Sequence, residues 1–345
     1  MKPVDARAWV MWLMAGGLLA ILISNPLYLL LLFLISRLVM FACAPAEPQR
    51  FPLPFWRIAA AILVFSTLFN MLTAHIGQTV LFTLPTSWPL VGGSLTFEAA
   101  VYGFLNGLRL VTLLSFFIAF NTIVPVSELA GLTPRALHEL GLVMLISITY
   151  IPETISQFHR IRDAQAIRGH QLNGLRAWRP ILLPLLISGL ERAMNLSETM
   201  VSRGYGSTSQ IAAPFRARVL LIIGLTFALG GSLRLTWGGA DGWLLLSAGL
   251  AAIAWAYREL SKDVKRTRYK PRHWGLSETF ITIGAIIALI PILPLDIFDR
   301  TAFYYAPYPE VSAPLFGVGT GLVMLGLAMP AVVMIFTPPE LELTH

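Results

Sequence analysis

The chain is short of charge, of cysteine and of catalytic motifs. Only 12% of its 345 residues are charged, against roughly a quarter in an ordinary soluble domain. Hydrophobic residues make up 56% of the sequence, and the mean hydropathy is +0.71. This composition excludes an ordinary soluble protein and predicts an integral membrane protein.

Several enzyme classes are excluded by what is missing. The single cysteine, Cys43, permits no internal disulfide and no site made of several thiolates. No GxxxxGK[ST] sequence is present, so ATP hydrolysis through a phosphate-binding loop is excluded. Asp296 and Asp299 are the one pair of aspartates at helical spacing, but a prenyl-transfer enzyme needs a second acidic motif. The histidines show no paired ligand spacing, so we expect no metal site, no cofactor and no enzyme activity.

Long apolar runs are present instead, most of them near or above the ~17 residues that cross a bilayer. The first follows a basic start without a small-residue cleavage site, so we expect it to be retained. Asn25-Pro26 separates the first two runs, because proline lacks a backbone donor and disfavours helix at the preceding residue. We expect the last pair to pack beside the bundle. The predicted spans are Ala8–Ser24, Pro26–Ala42, Phe55–Thr73, Glu98–Val124, Val219–Thr236, Trp243–Tyr257, Leu276–Leu293 and Pro314–Phe336.

The basic residues are unevenly distributed between the loops. Ten arginines lie in Pro134–Arg218 and seven lysines or arginines in Arg258–Arg272, whereas Ala74–Phe97 and Gly238–Gly242 have none. Because cytoplasmic loops hold the positive excess, we expect both basic segments and both termini on the cytoplasmic side of the plasma membrane. The net charge of +7 then faces anionic lipid or protein, and we expect no nucleic acid partner.

The segment between the fourth and fifth predicted spans is neither polar enough for a soluble domain nor apolar enough to cross. Its apolar runs, 140–151 and 181–190, have the length of buried or interfacial helices. We predict that the whole stretch forms two long bent cytoplasmic arms. The first continues from Pro152 as an amphipathic helix, and the part of the second from Pro184 to Arg203 would span roughly 30 Å. A partner or lipid is expected to cover their apolar surface.

Both arms end in the same dipeptide, Arg168-Gly169 and Arg203-Gly204. A glycine in the left-handed conformation and a cation in the last turn are usual at a helix end, so an ordinary cap explains each one. Their repetition on consecutive arms favours docking, because an arginine at a helix tip can make paired hydrogen bonds to a partner's carboxylate.

Three ordered strings carry a family resemblance: TFEAAVYGFLNGLRL, YIPETISQFHRIRDAQAIRGH and LLPLLISGLERAMNLSETMVSRGYG. Over about 95–220 the chain resembles the transmembrane coupling (T) component of energy-coupling factor (ECF) importers of vitamins and metals. In that family, two Ala-Arg-Gly tips end the coupling helices and dock into grooves of two cytosolic ATPases. Ile167 and Ser202 replace the usual alanines. The resemblance implies ATPase contacts at Ala166, Ile167, Arg168, Gly169, Ser202, Arg203 and Gly204.

The resemblance further implies an all-α, polytopic scaffold that joins two ABC ATPase subunits to a small substrate-capturing membrane subunit in the lipid bilayer. Its segments are N-terminal transmembrane helices (1–124), a coupling module (125–215) and C-terminal transmembrane helices (216–345) with the basic loop 258–272. Small residues four apart allow close helix approach in membranes. We expect the capture subunit to contact Leu186, Gly189, Leu190 and Ala193.

Two other functions remain alternatives. A self-contained secondary transporter would need broken helices and an inverted repeat around a site at the membrane centre. A conventional ABC permease usually presents one coupling helix per subunit. Arg109, the one charge deep in a predicted span, is either functional or a packing residue that bonds carbonyls inside the bundle, and the packing role is favoured.

Overall fold

The chain is helical almost throughout, which confirms the all-α prediction. A computed structural model describes residues 4–44, 54–85, 92–133, 138–169, 178–205, 215–239, 241–260, 274–293 and 298–336. The helices are α1 (Ala6–Leu22), α2 (Pro26–Cys43), α3 (Phe55–Thr73), α4 (Phe97–Ile123), α5 (Val126–Gly131), α6 (His138–Ile167), α7 (Arg179–Ser202), α8 (Phe215–Thr236), α9 (Gly242–Leu260), α10 (Leu276–Leu289), α11 (Val318–Met324) and α12 (Met329–Phe336). Two antiparallel strands, β1 (Val80–Thr83) and β2 (Ser94–Thr96), lie between α3 and α4. Short 3-10 turns cover Ile290–Ile292, Arg300–Phe303 and Leu325–Ala328.

Six helical stretches in the described part are long and apolar enough to cross a membrane, so the chain is a multi-pass membrane protein as predicted. They are Pro26–Cys43, Phe55–Thr73, Phe97–Ile123, Glu139–Ile167, Phe215–Thr236 and Val318–Phe336. α1 and Leu276–Ile292 are shorter apolar helices. The stretch Glu139–Ile167 is unexpected among the candidate spans, because the sequence predicted a cytoplasmic arm there.

Each of the two predicted bent arms is a single helix that contains its proline. α6 runs without interruption from His138 to Ile167, with Pro152 inside it, and α7 begins at Arg179 and runs through Pro184. A proline removes one backbone donor and bends a helix, but the hydrogen bonds of the neighbouring turns can carry the helix onward. Each apolar run and its amphipathic arm therefore form one helix.

The chain forms two compact units: Met1–Glu128 with Lys270–His345, and Leu129–Tyr269. The division into three functional segments at 124/125 and 215/216 stays a prediction. Most of the basic loop 258–272 lies outside the described residues, as does Asp296.

In the first unit, α1 and α2 both pack against α4. The predicted break is confirmed, since α1 ends at Leu22 and α2 begins at Pro26. Asn25 is the N-cap of α2: its side-chain oxygen accepts a hydrogen bond from the Leu27 amide at 3.0 Å. The large side chains of Trp12 and Tyr28 are fully buried in this core.

The C-terminal helices pack against α1 and α2 in the first unit, and some of their side chains are part of its buried core. Trp12 Nε1 donates to the Leu327 carbonyl at 2.8 Å. A side chain at Gly284 would lie 2.4 Å from the carbonyl oxygen of Gly326, so the backbones touch where α10 crosses the 3-10 turn. The predicted span 314–336 begins later than expected, because residues 314–317 are not helical and α11 starts at Val318. The contacts that hold the C-terminal helices in place join residues far apart in the sequence, so the sequence pattern did not predict them.

The second unit contains α6 and α7 and the tight hairpin of α8 and α9. A side chain at Gly231 would lie 2.5 Å from the Leu246 nitrogen, and one at Gly249 would lie 2.5 Å from the Ala228 nitrogen. The hairpin therefore depends on glycine at these two close approaches.

Candidate functional site

The tip of α6 is a sharp turn that presents an exposed arginine. The Gly169 amide donates to the Ala166 carbonyl at 2.9 Å, and Gly169 has a φ of +80°. A Cβ at Gly169 would have no neighbour within 4 Å, so only the backbone conformation calls for glycine here. Ala166, Ile167 and Arg168 are exposed, and Ile167 is 89% exposed. The next residue, His170, lies outside the described residues.

The tip of α7 is a complete Schellman motif. The Gly204 amide donates to Val201 at 2.9 Å and the Tyr205 amide donates to Met200 at 3.0 Å, the two bonds that define this ending. Gly204 has a φ of +82°, so left-handed glycines are confirmed at both tips. Ser202 donates its hydroxyl to Thr199 at 2.9 Å, and Arg203 is exposed beside it. Both tips are thus locally fixed turns that present an arginine.

Neither tip arginine has a hydrogen bond or ion pair through its guanidinium within the described part of the chain. The ion pairs there join Arg162 to Asp163 at 3.2 Å and Arg192 to Glu153 at 3.5 Å. Arg168 and Arg203 are therefore free to meet an acidic group of another molecule. An exposed guanidinium loses little hydration energy when its new partner supplies two hydrogen bonds.

A polar clamp between α6 and α7, formed by Arg192 with Tyr150, Glu153 and Gln157, escaped the sequence analysis. Arg192 donates to the Gln157 side chain at 2.8 Å and to Glu153 at 3.5 Å, and its guanidinium lies 5.6 Å from the ring centre of Tyr150. The three partners recur every three or four residues, so they line one face of α6. That spacing is a sequence signal for a shared face on α6, but nothing in the sequence indicated that Arg192 packs against this face.

A second contact between α6 and α7 fixes their relative direction. Gln165, near the end of α6, donates to the carbonyl of Pro180, near the start of α7, at 3.5 Å. Arg192, which lies further along α7 than Pro180, contacts Gln157, which comes before Gln165 on α6. The two helices therefore run antiparallel, so the Arg168 and Arg203 tips lie at opposite ends of the pair.

The predicted capture-subunit residues lie on the exposed side of α7. Leu186 is 68% exposed and Leu190 is 64% exposed. Ala193 is also exposed, and a Cβ at Gly189 would have no neighbour within 4 Å. The apolar run of α6 is similarly bare at Leu140, Val143, Met144 and Leu145. Apolar surface of this extent marks an interface with protein or lipid.

The other charged candidates are structural. Arg109 donates to the Ile23 carbonyl at 3.1 Å and to the Ser24 hydroxyl at 2.7 Å, which confirms the packing role. Asp299 caps a 3-10 turn: it accepts hydrogen bonds from the hydroxyl and the amide of Thr301, and these lower the pKa of the Asp299 carboxyl. No group of three or more His, Cys, Asp or Glu side chains suited to a metal occurs among the residues that the structure describes.

The fold and the two tips define the class: a multi-pass helical membrane protein that presents a pair of Arg-Gly helix ends. Comparison with known families gives the family itself. The sequence model of the CbiQ family, described as cobalt transport protein, matches residues 2–213, more than half of the chain and the part that contains both tips. The chain belongs to this family, as the transmembrane component of an ECF transporter.

Curated relatives share the same region. The energy-coupling factor transporter transmembrane protein EcfT of Lactococcus lactis subsp. cremoris is 32% identical over 160 residues, which are 42% of this chain and 58% of that protein. EcfT of Streptococcus thermophilus is 28% identical over 189 residues, 49% of this chain and 69% of that protein. EcfT of Bacillus subtilis is 36% identical over 74 residues, 20% of this chain and 28% of that protein. The chain thus spans less than two thirds of the Lactococcus relative, and α8 to α12 lie outside the family match.

Proposed function

We propose that this chain is the membrane scaffold of an ECF-type importer, in which two cytosolic ABC ATPases drive a small substrate-capturing membrane subunit. The cargo is a vitamin or a metal ion, and both ATP hydrolysis and substrate capture take place in the partner subunits. One observation carries the proposal: α6 and α7 each end in an exposed arginine that follows helix residues and precedes a left-handed glycine, and neither guanidinium has a partner among the described residues. Family membership supports the same function.

Docking at the tips follows from their geometry and charge. Each turn is fixed by its own hydrogen bonds, so little conformational freedom remains to be lost on binding. In this proposal each arginine binds in an acidic groove of an ATPase, and the exposed Ile167 side chain beside Arg168 packs against apolar residues of that groove. We assign the ATPase contacts to Ala166, Ile167, Arg168 and Gly169 on the first tip, and to Ser202, Arg203 and Gly204 on the second.

Coupling between the tips follows from the polar clamp. Because Arg192 joins α7 to α6 and the tips lie at opposite ends of the antiparallel pair, each ATPase can hold one end. A change in the distance between the ATPases on binding ATP then tilts the helices against each other. The exposed face at Leu186, Gly189, Leu190 and Ala193 carries this tilt to the capture subunit.

The proposed orientation places α6, α7, both tips and both termini on the cytoplasmic side of the plasma membrane, so α6 lies along that side although it is long enough to cross. It rests on the arginine and lysine excess of Pro134–Arg218 and Arg258–Arg272. In this orientation the tips face the compartment that contains ATP. The polar second half of α6, with Arg160, Arg162 and Asp163 exposed, fits the cytoplasmic side.

Charge reversal at both tips tests the proposal. Each of Arg168→Glu and Arg203→Glu places a carboxylate in an acidic groove, at a cost of about 2 kcal/mol or more, and such a cost lowers affinity roughly thirtyfold. The double variant should reach the membrane in normal amount but lose the co-purifying ATPases and ATP-driven uptake. A matched control reverses Arg160 and Arg218, which are exposed and lie away from the tips.

The outcomes separate the three functions. Normal ATPase binding by the tip variant would leave only the cap explanation for the Arg-Gly pairs. Uptake by the chain alone, with no ATPase bound, would identify a secondary transporter. Co-purification with ATPases and a soluble binding protein would identify a conventional permease.

A further inference from the structure

The hairpin of β1 and β2 connects the end of α3 to the start of α4, which are both candidate spans. It exposes apolar side chains there. All four residues of β1 are exposed, and Phe82 at its centre is 71% exposed. Ile76 before the strand and Phe97 after the hairpin are exposed as well. Residues 74–97 contain no Lys, Arg, Asp or Glu, so this surface carries no formal charge apart from any on His75.

The hairpin is fastened to the spans and has little freedom to move away from them. β2 ends at Thr96 and α4 begins at the next residue. The Phe97 amide donates to the Thr79 carbonyl at 2.9 Å, and the Thr96 hydroxyl donates to the Ile76 carbonyl at 2.8 Å. The exposed strand is thus held beside the first turn of α4.

The nearest carboxylate is turned inward. Glu98 is only 1% exposed, and its Oε1 accepts a hydrogen bond from the Thr79 amide at 2.9 Å. A side chain at Gly77 would lie 2.4 Å from Glu98 Oε2, so the connection between α3 and β1 passes directly over this carboxylate. The outer face of the hairpin therefore stays apolar although a charged residue begins α4.

We infer that this hairpin lies in the boundary between headgroups and acyl chains of the leaflet at that end of α3 and α4, with Val80 and Phe82 inserted among the lipids. The exposed apolar surface of α3, which includes Phe65 and Phe69, already faces lipid because α3 is a span, and the hairpin extends that surface. A two-stranded sheet has unpaired edge groups that hydrocarbon does not tolerate, so the hairpin stops at the hydrated boundary and does not enter the core. An uncharged, aromatic-containing segment at the end of a span fits this layer.

The single cysteine of the chain makes the test direct. Cys43 is buried, so a Cys43→Ala background accepts one new cysteine at a time for a nitroxide spin label. The test position is Phe82→Cys. The lipid reference is Phe65→Cys on α3, and the water reference is Glu310→Cys in an exposed loop. The purified full chain is placed in lipid nanodiscs, and collision of each label with oxygen and with a water-soluble nickel chelate is measured.

The proposal expects the label at Phe82 to favour oxygen over nickel several-fold more than the label at Glu310, and to approach the ratio at Phe65. A ratio at Phe82 equal to that at Glu310 would place the hairpin in water and overturn the proposal. Weak collision with both reagents would mean that protein covers the strand, which also overturns it. Val80→Cys, at another exposed residue of β1, repeats the measurement if the label at Phe82 disturbs folding.

Discussion

Replacement of Asn25 tests how firmly the C-terminal segment is tied into the first unit. Asn25 is 1% exposed, and its side-chain nitrogen donates to the carbonyls of Ala302 and Leu315, both at 2.7 Å. Its oxygen caps α2 through the Leu27 amide. Asn25 therefore joins the turn between α1 and α2 to two places almost 300 residues further along the chain.

The structure gives a graded expectation for three substitutions. Each hydrogen bond contributes about 1 kcal/mol, so Asn25→Ala, which loses all three, should lower the free energy of unfolding by roughly 3 kcal/mol. Asn25→Ser keeps a capping oxygen and loses the two donors, so its cost should be about 2 kcal/mol. Asn25→Asp keeps the cap but turns an acceptor toward two carbonyl oxygens, and should cost more than Asn25→Ala.

Unfolding by sodium dodecyl sulfate, followed by circular dichroism in mixed micelles, measures these differences. Asn121→Ala is the matched control, since Asn121 is exposed on α4, and a surface change of this kind should stay within about 0.5 kcal/mol of the unchanged protein. Equal stability of Asn25→Ala and the control would refute the reasoning. An order in which Asn25→Ser is the most damaging would refute the separation of capping from cross-linking.

Three further changes address the proposed coupling. Alanine at Gly169 and at Gly204 forces a positive φ on a residue with a Cβ, which costs about 1 kcal/mol at each tip, and ATPase affinity in a titrated pull-down should fall roughly fivefold for each. Leucine at Gly189 and Ala193 should prevent close helix approach, so that the capture subunit is lost from the purified complex while the ATPases are retained. Arg192→Ala removes the polar clamp at a cost of about 1 kcal/mol to the folded protein, and should lower the amount of substrate moved per ATP hydrolysed more than it lowers ATP hydrolysis.

Gly230 supplies a control for the glycine changes. It lies in α8 without a positive φ, and a Cβ there would have no neighbour within 4 Å. Gly230→Ala should be neutral or slightly stabilising, because alanine is the better helix former. ATPase binding that falls equally in Gly230→Ala and Gly204→Ala would contradict the role of the left-handed turn. Retention of the capture subunit by the Gly189 and Ala193 leucine variant would move that interface elsewhere.

Local signals in the sequence predicted the features that depend on neighbouring residues. Asn25-Pro26 combines a capping side chain with a residue that cannot continue a helix, and α1 and α2 are separated there. The glycines at 169 and 204 follow long amphipathic stretches, and both have the positive φ that such a position favours. These predictions succeeded because each feature is decided within a few residues.

Features that depend on distant contacts escaped the sequence. Pro152 resembles the first residue of a helix, but α6 continues through it. The C-terminal helices show apolar runs without a partner, whereas the structure has Leu327 bonded to Trp12. Arg192 stands among other charged residues of α7, and only the crossing with α6 selects it for the clamp. Each case depends on which helix faces pack against each other. Sequence periodicity predicts which face of a helix is apolar, but it does not predict the helix that packs against that face.

The cap explanation and the docking explanation concern different parts of each tip. The backbone of α7 is fully accounted for by its Schellman bonds, so the glycine there needs no partner to explain it. A helix cap of this kind, however, does not depend on which side chains precede the glycine. Ile167 leaves an apolar side chain 89% exposed at the end of α6, and Arg168 and Arg203 leave two guanidinium groups without ion pairs among the described residues. A hydrated arginine is stable alone, but a bare isoleucine at a helix tip is not favoured by water. The backbone is therefore explained within the chain, whereas the docking proposal addresses what the exposed Ile167, Arg168 and Arg203 side chains contact.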